Sequence, residues 1–437
     1  MTGQRVLLLG PTGIDKDTAV GNLANYQKNH HGDVKFQHIG FEKILCTETK
    51  RKPFKIQSFL DKPPAEQKNM WLKAWGVLAD KHLPGGPEDK AIVLSIHGVI
   101  TRKTYGIRSP INIQKIMEIF RPTMIITLID DVYLLWHRTT ERAKEFEFLG
   151  TPTLAQLLET RRAEIFLGDL IAKQAVGSND LIPHYVLSIW HPARVLDRLI
   201  FNERNLVIGY MSFPISRPRK AELAGDSTVI TELNTYFKEI SDFEARNPNV
   251  AFFCPLCIDE LPLVKNELPE QPKEHTDDKS ISIFSTSLRW RVTDFYKDTL
   301  LLTDPSKIPA EICIPSEQIK LAEGFIREDV TTRDYRLVAQ SDFLAVLNPV
   351  MLNPDTKIRS VSGGVRNEIM AAMFENKQIH VFQDAKHDPD DKFGQEYRVT
   401  SSAMGGLAPG AGNIRKHASV DDLLKQSLRD LRVSTAS

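Results

Sequence analysis

The sequence predicts a two-domain α/β protein with a parallel sheet in each half. A continuous apolar run, Arg5–Leu9, opens the first half, and Asn205–Met211 restarts the same pattern in the second. In both halves short apolar runs alternate with stretches of helical periodicity, which is typical of βαβ units. The chain has 437 residues, enough for two or three domains of ~150 residues. We therefore predict domains 1–203 and 204–437, with an insertion at about 261–320.

The other predicted elements follow from the spacing of apolar residues. Continuous apolar runs are typical of strands buried on both faces, and they are Ala91–Ile96, Thr123–Ile129, Tyr185–Ile189, Val250–Cys254, Phe343–Leu347 and Gln378–Phe382. Apolar residues at helical spacing predict the helices 19–29, 67–81, 113–120, 132–146, 154–175, 229–246, 330–339, 365–376 and 420–431. A Gly-rich stretch, 401–414, is expected to be a long loop before the last helix.

Composition excludes several classes of function. The 56 Lys and Arg balance 56 Asp and Glu, so the net charge is zero, which argues against bulk binding of nucleic acid or of acidic membranes. No apolar run reaches the ~18 residues of a membrane span. Four cysteines do not make a disulfide framework, and a single C-x-x-C at Cys254 and Cys257 lacks the second ligand pair of a zinc site. We expect a cytoplasmic protein with no metal centre.

A loop of phosphate-binding type follows the first strand. The segment from Gly10 to Thr18 reads GPTGIDKDT and lies between a strand and a helix, where backbone amides and a lysine can surround a phosphate. It resembles the loop of nucleoside-monophosphate kinases of the adenylate kinase type. The resemblance implies a nucleotide site that admits ATP with magnesium, formed by Gly10, Gly13, Lys16 and Thr18. Asp15 and Asp17 depart from that pattern and bring negative charge to the loop.

The second half carries a different set of motifs. A helix ending in Ser341-Asp342 leads into a strand, and a Gly-rich turn then opens a helix bearing Glu368. The first strand of this half ends in a tyrosine followed by a short loop, Tyr210–Ser216. This layout resembles the nucleoside 2-deoxyribosyltransferase superfamily, including its deoxynucleoside-monophosphate N-glycosidase branch. The resemblance implies a Rossmann-like, doubly wound sheet over most of residues 205–385.

The resemblance also implies roles for individual residues. Cleavage of an N-glycosidic bond develops oxocarbenium-like charge, which a nearby carboxylate stabilises or attacks. Glu368 matches the family's nucleophile, and Asp334 matches the acid that handles proton transfer to the leaving base. Asp342 matches a second aspartate that orients the first or binds the sugar, and Tyr210 is expected to position the nucleophile. The implied substrate-binding residues are Ser362, Gly363, Gly364, Arg327, Arg333 and Pro214.

These observations predict an enzyme that cleaves or transfers the glycosidic bond of a nucleoside, a nucleotide or an NAD-like molecule. The chemistry requires no cofactor, and the resemblance implies a homo-oligomer. Nucleotide salvage and defence by nucleotide depletion both fit such an enzyme, and the sequence does not choose between them. Two alternatives stay open: a non-catalytic protein that senses nucleotides, and an active nucleotide kinase with a regulatory C-terminal domain.

Overall fold

The computed structural model of the protein describes residues 4–48, 59, 62–83, 90–102, 106–145, 152–174, 181–202, 205–263, 280–284, 296, 301–304, 306, 308–353, 355–403 and 414–434. The chain divides into two compact units. The first comprises Met1–Ala193 and Leu300–Ile308, and the second comprises Arg194–Thr299 and Pro309–Ser437. The sequence-based boundary at 203/204 lies about ten residues after this division, on the far side of the helix Ala193–Phe201.

The first unit is a parallel sheet surrounded by helices. Its strands are β1 Arg5–Leu9, β2 Phe36–Gly40, β3 Ala91–Ser95, β4 Ile100–Arg102, β5 Gly106–Arg108, β6 Met124–Ile129 and β7 His184–Ser188. Its helices are α1 Lys16–His31, α2 Phe41–Glu48, α3 Pro64–Val77, α4 Ile113–Lys115, α5 Val132–Glu145 and α6 Leu154–Ala172, with wide π-helical turns at Leu78–His82 and Ile116–Phe120. The sheet order is β2-β3-β1-β6-β7 with every pair parallel, and β4 and β5 form a separate antiparallel hairpin.

The buried apolar runs that predict strands form the centre of this sheet. Leu7 and Leu9 of β1 are completely buried, as are Leu94 of β3 and Ile125 of β6. Burying one such side chain stabilises the fold by about 1.5–3 kcal/mol. The predicted strands and helices of this half are confirmed to within one helical turn. The sequence does not predict β2, because Phe36–Gly40 is an edge strand that is polar and only partly buried.

The second unit has a second five-stranded parallel sheet. Its strands are β8 Val207–Ser212, β9 Val250–Phe253, β10 Ser280–Phe284, β11 Glu311–Pro315, β12 Phe343–Leu347, β13 Val350–Leu352, β14 Arg359–Val361, β15 Gln378–Phe382 and β16 Ile414–His417. Its helices are α7 Ala193–Phe201, α8 Ser216–Leu223, α9 Thr228–Arg246, α10 Ser316–Ala339, α11 Gly363–Phe374, α12 Lys392–Ala403 and α13 Val420–Ser434. The main sheet has the order β16-β15-β12-β8-β9, and two antiparallel hairpins, β10–β11 and β13–β14, stand apart from it. The α/β fold class is thus confirmed in both halves.

Two segments differ from the sequence-based expectation. The predicted insertion at 261–320 contains β10, β11 and the beginning of α10, so α10 begins at Ser316 rather than near residue 330. Ile319, Ala322 and Ile326 are buried on one face of this helix. Residues 264–279, 285–295, 297–300, 305 and 307 of the insertion and 404–413 of the predicted loop at 401–414 lie outside the described residues.

A glycine in β8 sets how closely the strands beside it pack. A Cβ atom at Gly209 would lie 2.5 Å from the ring of Phe252 on β9 and 2.6 Å from the ring of Phe343 on β12. Only a residue without a side chain fits between these two rings. Because β8 lies between β9 and β12, Gly209 fixes the position of the strand end that carries the candidate site described below.

Buried charge ties α7 to α9 in the second unit. Nε of Arg194 donates to Glu244 at 2.8 Å, and the Arg194 guanidinium also donates to Ser241 at 2.9 Å. Arg198 donates to the backbone carbonyl of Glu244 at 2.8 Å and lies 3.7 Å from its carboxylate. Glu244 is completely buried, so two arginines and one carboxylate satisfy one another away from water.

Within the described ranges, no helix combines the length and apolarity needed to cross a bilayer.

This cluster makes a prediction about stability. Glu244→Ala leaves Arg194 and Arg198 buried without their shared carboxylate, and removing one partner of a buried pair costs about 3–5 kcal/mol. We expect the midpoint of urea unfolding of the second unit to fall accordingly. Glu239→Ala, on the exposed face of the same helix, is the matched control and is expected to change stability little. Equal effects of the two substitutions would contradict this account of the cluster.

Candidate functional site

The candidate site lies at the carboxyl end of β8 and is centred on Glu368. Glu368 is on the second turn of α11 and is almost completely buried. The Tyr210 hydroxyl donates to its Oε1 at 2.6 Å, and the Ser212 hydroxyl donates to its Oε2. Tyr210 and Ser212 point to the same side of β8 because they are two residues apart on a strand. One strand therefore holds both oxygens of a single carboxyl group.

A second charged group borders this carboxyl from α10. The Arg333 guanidinium contacts Oδ1 of Asp334 through two nitrogens, at 2.8 Å and 3.1 Å. Arg333 also lies 3.8 Å from the carboxylate of Glu260, which is fully buried. The charges of Asp334 and Arg333 act on both Tyr210 and Glu368. The structure thus brings together Tyr210, Arg333, Asp334 and Glu368, as the sequence implies.

The electrostatics of this group favour the protonated form of Glu368. Burial and the neighbouring Asp334 raise the pKa of Glu368 to about 8, although the hydroxyls of Ser212 and Tyr210 and the charge of Arg333 act in the opposite direction. Burial also raises the pKa of Asp334, and its ion pair with Arg333 opposes that rise. Because Arg333 favours ionised Asp334, we infer that Glu368 carries the proton of this pair near neutral pH.

The pKa of Tyr210 is raised as well. Burial is the main cause, and the charges of Asp334 and Glu368 add to it. Tyr210 therefore stays a neutral hydrogen-bond donor, and its role is to hold the glutamate rather than to exchange protons itself.

Three residues that the sequence analysis missed also belong to this neighbourhood. Ser212 is a direct partner of Glu368, while the carboxylates of Asp259 and Glu260 act electrostatically on Asp334. Asp259 is paired with Arg219 of α8. The sequence does contain a signal for Asp259 and Glu260. Polar residues soon after a buried parallel strand lie at the sheet edge where ligands bind. Ser212 gave a weaker signal, since it continues an apolar strand.

The glycine-rich turn leaves the amino end of α11 open. Gly363 and Gly364 are exposed, and a Cβ atom at either position would meet nothing within 4 Å. Ser362 is the N-cap residue, and its side chain makes no capping hydrogen bond. Pro214 is buried in the loop that follows β8. The turn therefore offers space and helix amides beside Glu368, where a hydroxyl or an anion is favoured.

Two of the implied residues lie elsewhere. Asp342 directly precedes β12 at the amino end of the sheet, where its carboxylate accepts from the amide of Ile208 at 2.7 Å and its own amide donates to the Ile208 carbonyl at 2.7 Å. Ile208 and Ser212 are four residues apart on β8, or about 13 Å, so Asp342 fixes strand pairing at the opposite end from Glu368. Arg327 pairs with Glu323 at 2.7 Å on the exposed face of α10. The structure does not bring either residue to the site.

The phosphate-type loop of the first unit is closed by its own aspartate. Asp15 caps α1: its Oδ1 accepts from the Thr18 amide at 3.0 Å and its Oδ2 accepts from the Thr18 hydroxyl at 2.6 Å. Nζ of Lys16 donates to the Gly10 carbonyl at 3.1 Å. Gly13 adopts a φ of +98°, and a Cβ there would lie 3.1 Å from Thr139. A carboxylate already fills the anion position at this helix end, so these residues, as arranged, do not fit the phosphates of ATP with magnesium.

Lys16 belongs instead to a buried group of charges. Burial lowers its pKa, while Glu42 and Glu164 oppose that change. Burial opposes ionisation of Glu42, but His97 and Lys16 outweigh it and lower the pKa of Glu42 to about 2. Burial raises the pKa of Glu164 to about 7 despite Lys16, and Oε1 of Glu164 accepts from the amides of Gly98 and Val99. Lys16 is thus committed to protein carboxylates and to a backbone carbonyl.

Comparison with known proteins yields little. No protein-family model matches the chain, and no curated protein matches its sequence. An unliganded sugar kinase from Janibacter sp. HTCC2649 is 16% identical, with a TM-score of 0.24, over 46% of this chain and 92% of the kinase. An uncharacterized protein from Eubacterium ventriosum ATCC 27560 is 9% identical, with a TM-score of 0.20, over 43% of this chain and 90% of that protein. Similarity at this level carries no argument about function.

The raised pKa of Glu368 predicts a pH-dependent effect on stability. The folded protein holds a proton on Glu368 up to about pH 8, whereas the unfolded chain releases it near the ordinary value of 4.5. The stability linked to this proton is present below about pH 4.5 and is lost as pH rises through about 8. Glu368→Gln removes the titration, so we expect this substitution to raise the free energy of unfolding, relative to wild type, more at about pH 9 than at about pH 5, by an amount on the order of a few kcal/mol.

Glu375→Gln, at the exposed end of the same helix, is the matched control and is expected to show no such dependence. The same stability difference between Glu368→Gln and wild type at both pH values would contradict the inferred protonation of Glu368.

Proposed function

We propose that the second unit cleaves the N-glycosidic bond of a nucleoside or a nucleotide, with Glu368 as the nucleophile. The observation that carries this proposal is a buried carboxyl group whose two oxygens are held by Tyr210 and Ser212. A carboxyl that must attack an anomeric carbon needs a fixed orientation and little competing water. The charged pair of Arg333 and Asp334 beside it supplies a second carboxyl for proton transfer.

The two carboxyl groups divide the work of the reaction. One proton is held between Glu368 and Asp334, and its transfer to Asp334 leaves Glu368 ionised. An oxygen of Glu368 then bonds to C1′ of the sugar while the C1′–N bond breaks and its electron pair stays on the base nitrogen. Asp334 gives its proton to that base. Water next adds to C1′, the ester to Glu368 breaks, and the released proton returns to Asp334. A second base in place of water yields transfer instead of hydrolysis.

The surroundings of Glu368 support a sugar-bearing substrate. The exposed turn at Gly363 and Gly364 lets a sugar ring or its 5′ substituent approach the backbone, and the amino end of α11 favours a hydroxyl or an anion. Arg333 supplies a cation beside Glu368 and Asp334. Nucleosides, nucleotides and NAD-like molecules all carry the N-glycosidic bond that this arrangement addresses. The proposed cleavage needs no cofactor.

The first unit does not favour the alternative of an active kinase. A kinase must bind phosphates at the loop after β1, and the carboxylate of Asp15 occupies the amino end of α1 there. An anion entering that position meets an existing negative charge. We therefore assign the proposed chemistry to the second unit alone.

The test is release of free base by the full-length protein. We expect chromatography to detect base when the protein is incubated with a panel of nucleosides, nucleotides and NAD. Glu368→Gln is expected to lower kcat/KM by roughly a thousandfold or more because it removes the nucleophile. Asp334→Asn is expected to lower it by about a hundredfold to ten-thousandfold because it removes the proton donor.

Glu375→Gln serves as the control and is expected to retain activity, since it lies on the same helix but outside the site. Base release that persists in Glu368→Gln, or no release from any substrate in the wild-type protein, would overturn the proposed function.

The Tyr210 hydroxyl is expected to affect the pH dependence of the reaction. The proposed reaction needs one proton shared by Glu368 and Asp334, so kcat/KM is expected to fall at high pH as the pair loses that proton, through an apparent pKa that belongs to the pair. The Tyr210 hydroxyl lowers the pKa of Glu368. Tyr210→Phe removes this effect, so the pair keeps its proton to higher pH, and we expect the falling limb of the profile to move to higher pH. Tyr335→Phe, an exposed tyrosine on α10, is expected to leave the profile unchanged, and an unmoved limb in Tyr210→Phe would contradict the assigned role.

A further inference from the structure

The proposed site of the second unit gathers several acidic side chains. Asp334 and Glu368 act on each other electrostatically, and Asp259 and Glu260, in the segment after β9, act on Asp334. Glu260 and Glu368 are buried, and Asp259 is only 7% exposed. Water therefore screens these acids poorly, and their charges affect whatever binds beside Glu368.

Two arginines offset part of this negative charge. Arg219 pairs with Asp259. Arg333 lies 2.8 Å from the carboxylate of Asp334 and 3.8 Å from that of Glu260. One guanidinium is thus shared by two carboxylates, and it neutralises the charge of only one of them.

The resulting balance around Glu368 is negative. With Glu368 protonated, three carboxylates stand against two arginines, which leaves one net negative charge, and ionisation of Glu368 raises this to two. The groups that reach Glu368 from β8 are the neutral hydroxyls of Tyr210 and Ser212. Arg366, on the same helix as Glu368, is exposed and paired with Glu396 at 2.6 Å, so it does not belong to this buried group.

A positive charge in the substrate matches this balance. A cation beside Glu368 favours the ionised form, which is the form that attacks the sugar, because opposite charges attract strongly where water is scarce. An uncharged base does not favour ionised Glu368, and its departure also consumes a proton. The buried charges thus favour a substrate whose positive charge lies at the bond to be broken.

We propose, on the basis of the function proposed for Glu368, that the substrate is an N-glycoside of a cationic base: a pyridinium ring joined through its nitrogen to C1′ of the sugar. The nicotinamide end of an NAD-like molecule has this chemistry. When an oxygen of Glu368 bonds to C1′, the C1′–N bond breaks and its electron pair neutralises the ring nitrogen, so the base leaves without taking up a proton. Water then cleaves the ester, and the complete hydrolysis releases one proton to solvent.

A matched pair of rings tests the preference for charge without turnover. 1-Methylnicotinamide carries the pyridinium charge but no sugar, so it is not cleaved, and nicotinamide is its neutral counterpart. We expect the full-length protein to bind 1-methylnicotinamide about tenfold more tightly than nicotinamide at about pH 7. Calorimetric titration in buffers of different ionisation heat is expected to show release of up to about one proton per chain when the cation binds, because Glu368 ionises. Glu368→Gln is expected to abolish this proton release.

The pH dependence of base release tests the preference during turnover. The pyridinium substrates are nicotinamide riboside and NAD, and the substrates with an uncharged base are adenosine and adenosine 5′-monophosphate. We expect kcat/KM for the pyridinium substrates to be at least about tenfold higher. It is expected to rise with pH as the pair of Glu368 and Asp334 loses its proton, whereas kcat/KM for bases that need this proton falls.

A substitution outside the reacting pair tests the role of the surrounding charge. Glu260→Gln removes one negative charge and leaves Asp334 and Glu368 in place. It is expected to weaken binding of 1-methylnicotinamide by about threefold to tenfold and to leave binding of nicotinamide unchanged. Comparing the two ligands on one variant separates loss of charge from loss of structure. Glu323→Gln, on the exposed face of α10, is the control and is expected to change neither affinity.

Three results would overturn this choice of substrate and leave the proposed function intact. They are cleavage of adenosine with a kcat/KM equal to or above that for nicotinamide riboside, a kcat/KM for NAD that falls at high pH, and 1-methylnicotinamide that binds no more tightly than nicotinamide. No base release from any of the four substrates would count against the proposed function itself and against this substrate with it.

Discussion

The second unit depends on one buried carboxyl group. Glu368 has its two oxygens held by Tyr210 and Ser212 of β8, which lies between β12 and β9 in the sheet. Burial makes its negative charge unfavourable, Asp334 adds to that effect, and the hydroxyls only partly offset it. The close packing of β8 around Gly209 positions both hydroxyls. Glu368 therefore stays protonated until a neighbouring group takes its proton. Ionisable groups with pKa values shifted in this way are common at functional sites.

The sequence predicts the fold better than it predicts the site. Apolar runs such as Arg5–Leu9 and Phe343–Leu347 predict buried strands, and the structure confirms them. Edge strand β2 escapes prediction because it lacks a continuous apolar run, whereas the first turns of α10 carry Ile319, Ala322 and Ile326 at a helical spacing that the prediction of an insertion overlooked. At the site, order along the chain brings Tyr210, Asp334 and Glu368 together. The role of Asp342 is implied by the resemblance alone, although its position directly before the strand Phe343–Leu347 already places it at the amino end of a parallel sheet.

The two units differ in whether a side chain caps the helix start that could bind an anion. In the first unit, Asp15 satisfies the amide of Thr18 and fills the place where an anion is otherwise favoured. In the second unit, the amino end of α11 has no side-chain cap, and its two glycines leave open space. The sequence marks this difference through Asp15, and the structure adds that its carboxylate turns onto the amide and the hydroxyl of Thr18. The first unit therefore has the shape of a phosphate loop, but the charged side chains of that loop contact other groups of the protein.

The central claim is that Glu368 forms a covalent bond to the sugar. The most direct measurement is mass spectrometry of the full-length protein after incubation with a 2′-fluorinated nucleoside, because the electron-withdrawing fluorine slows hydrolysis of a glycosyl ester. The account predicts one equivalent of released base and a glycosyl group on the peptide that contains Glu368. Base release without any adduct on that peptide, or an adduct on a different residue, would contradict it.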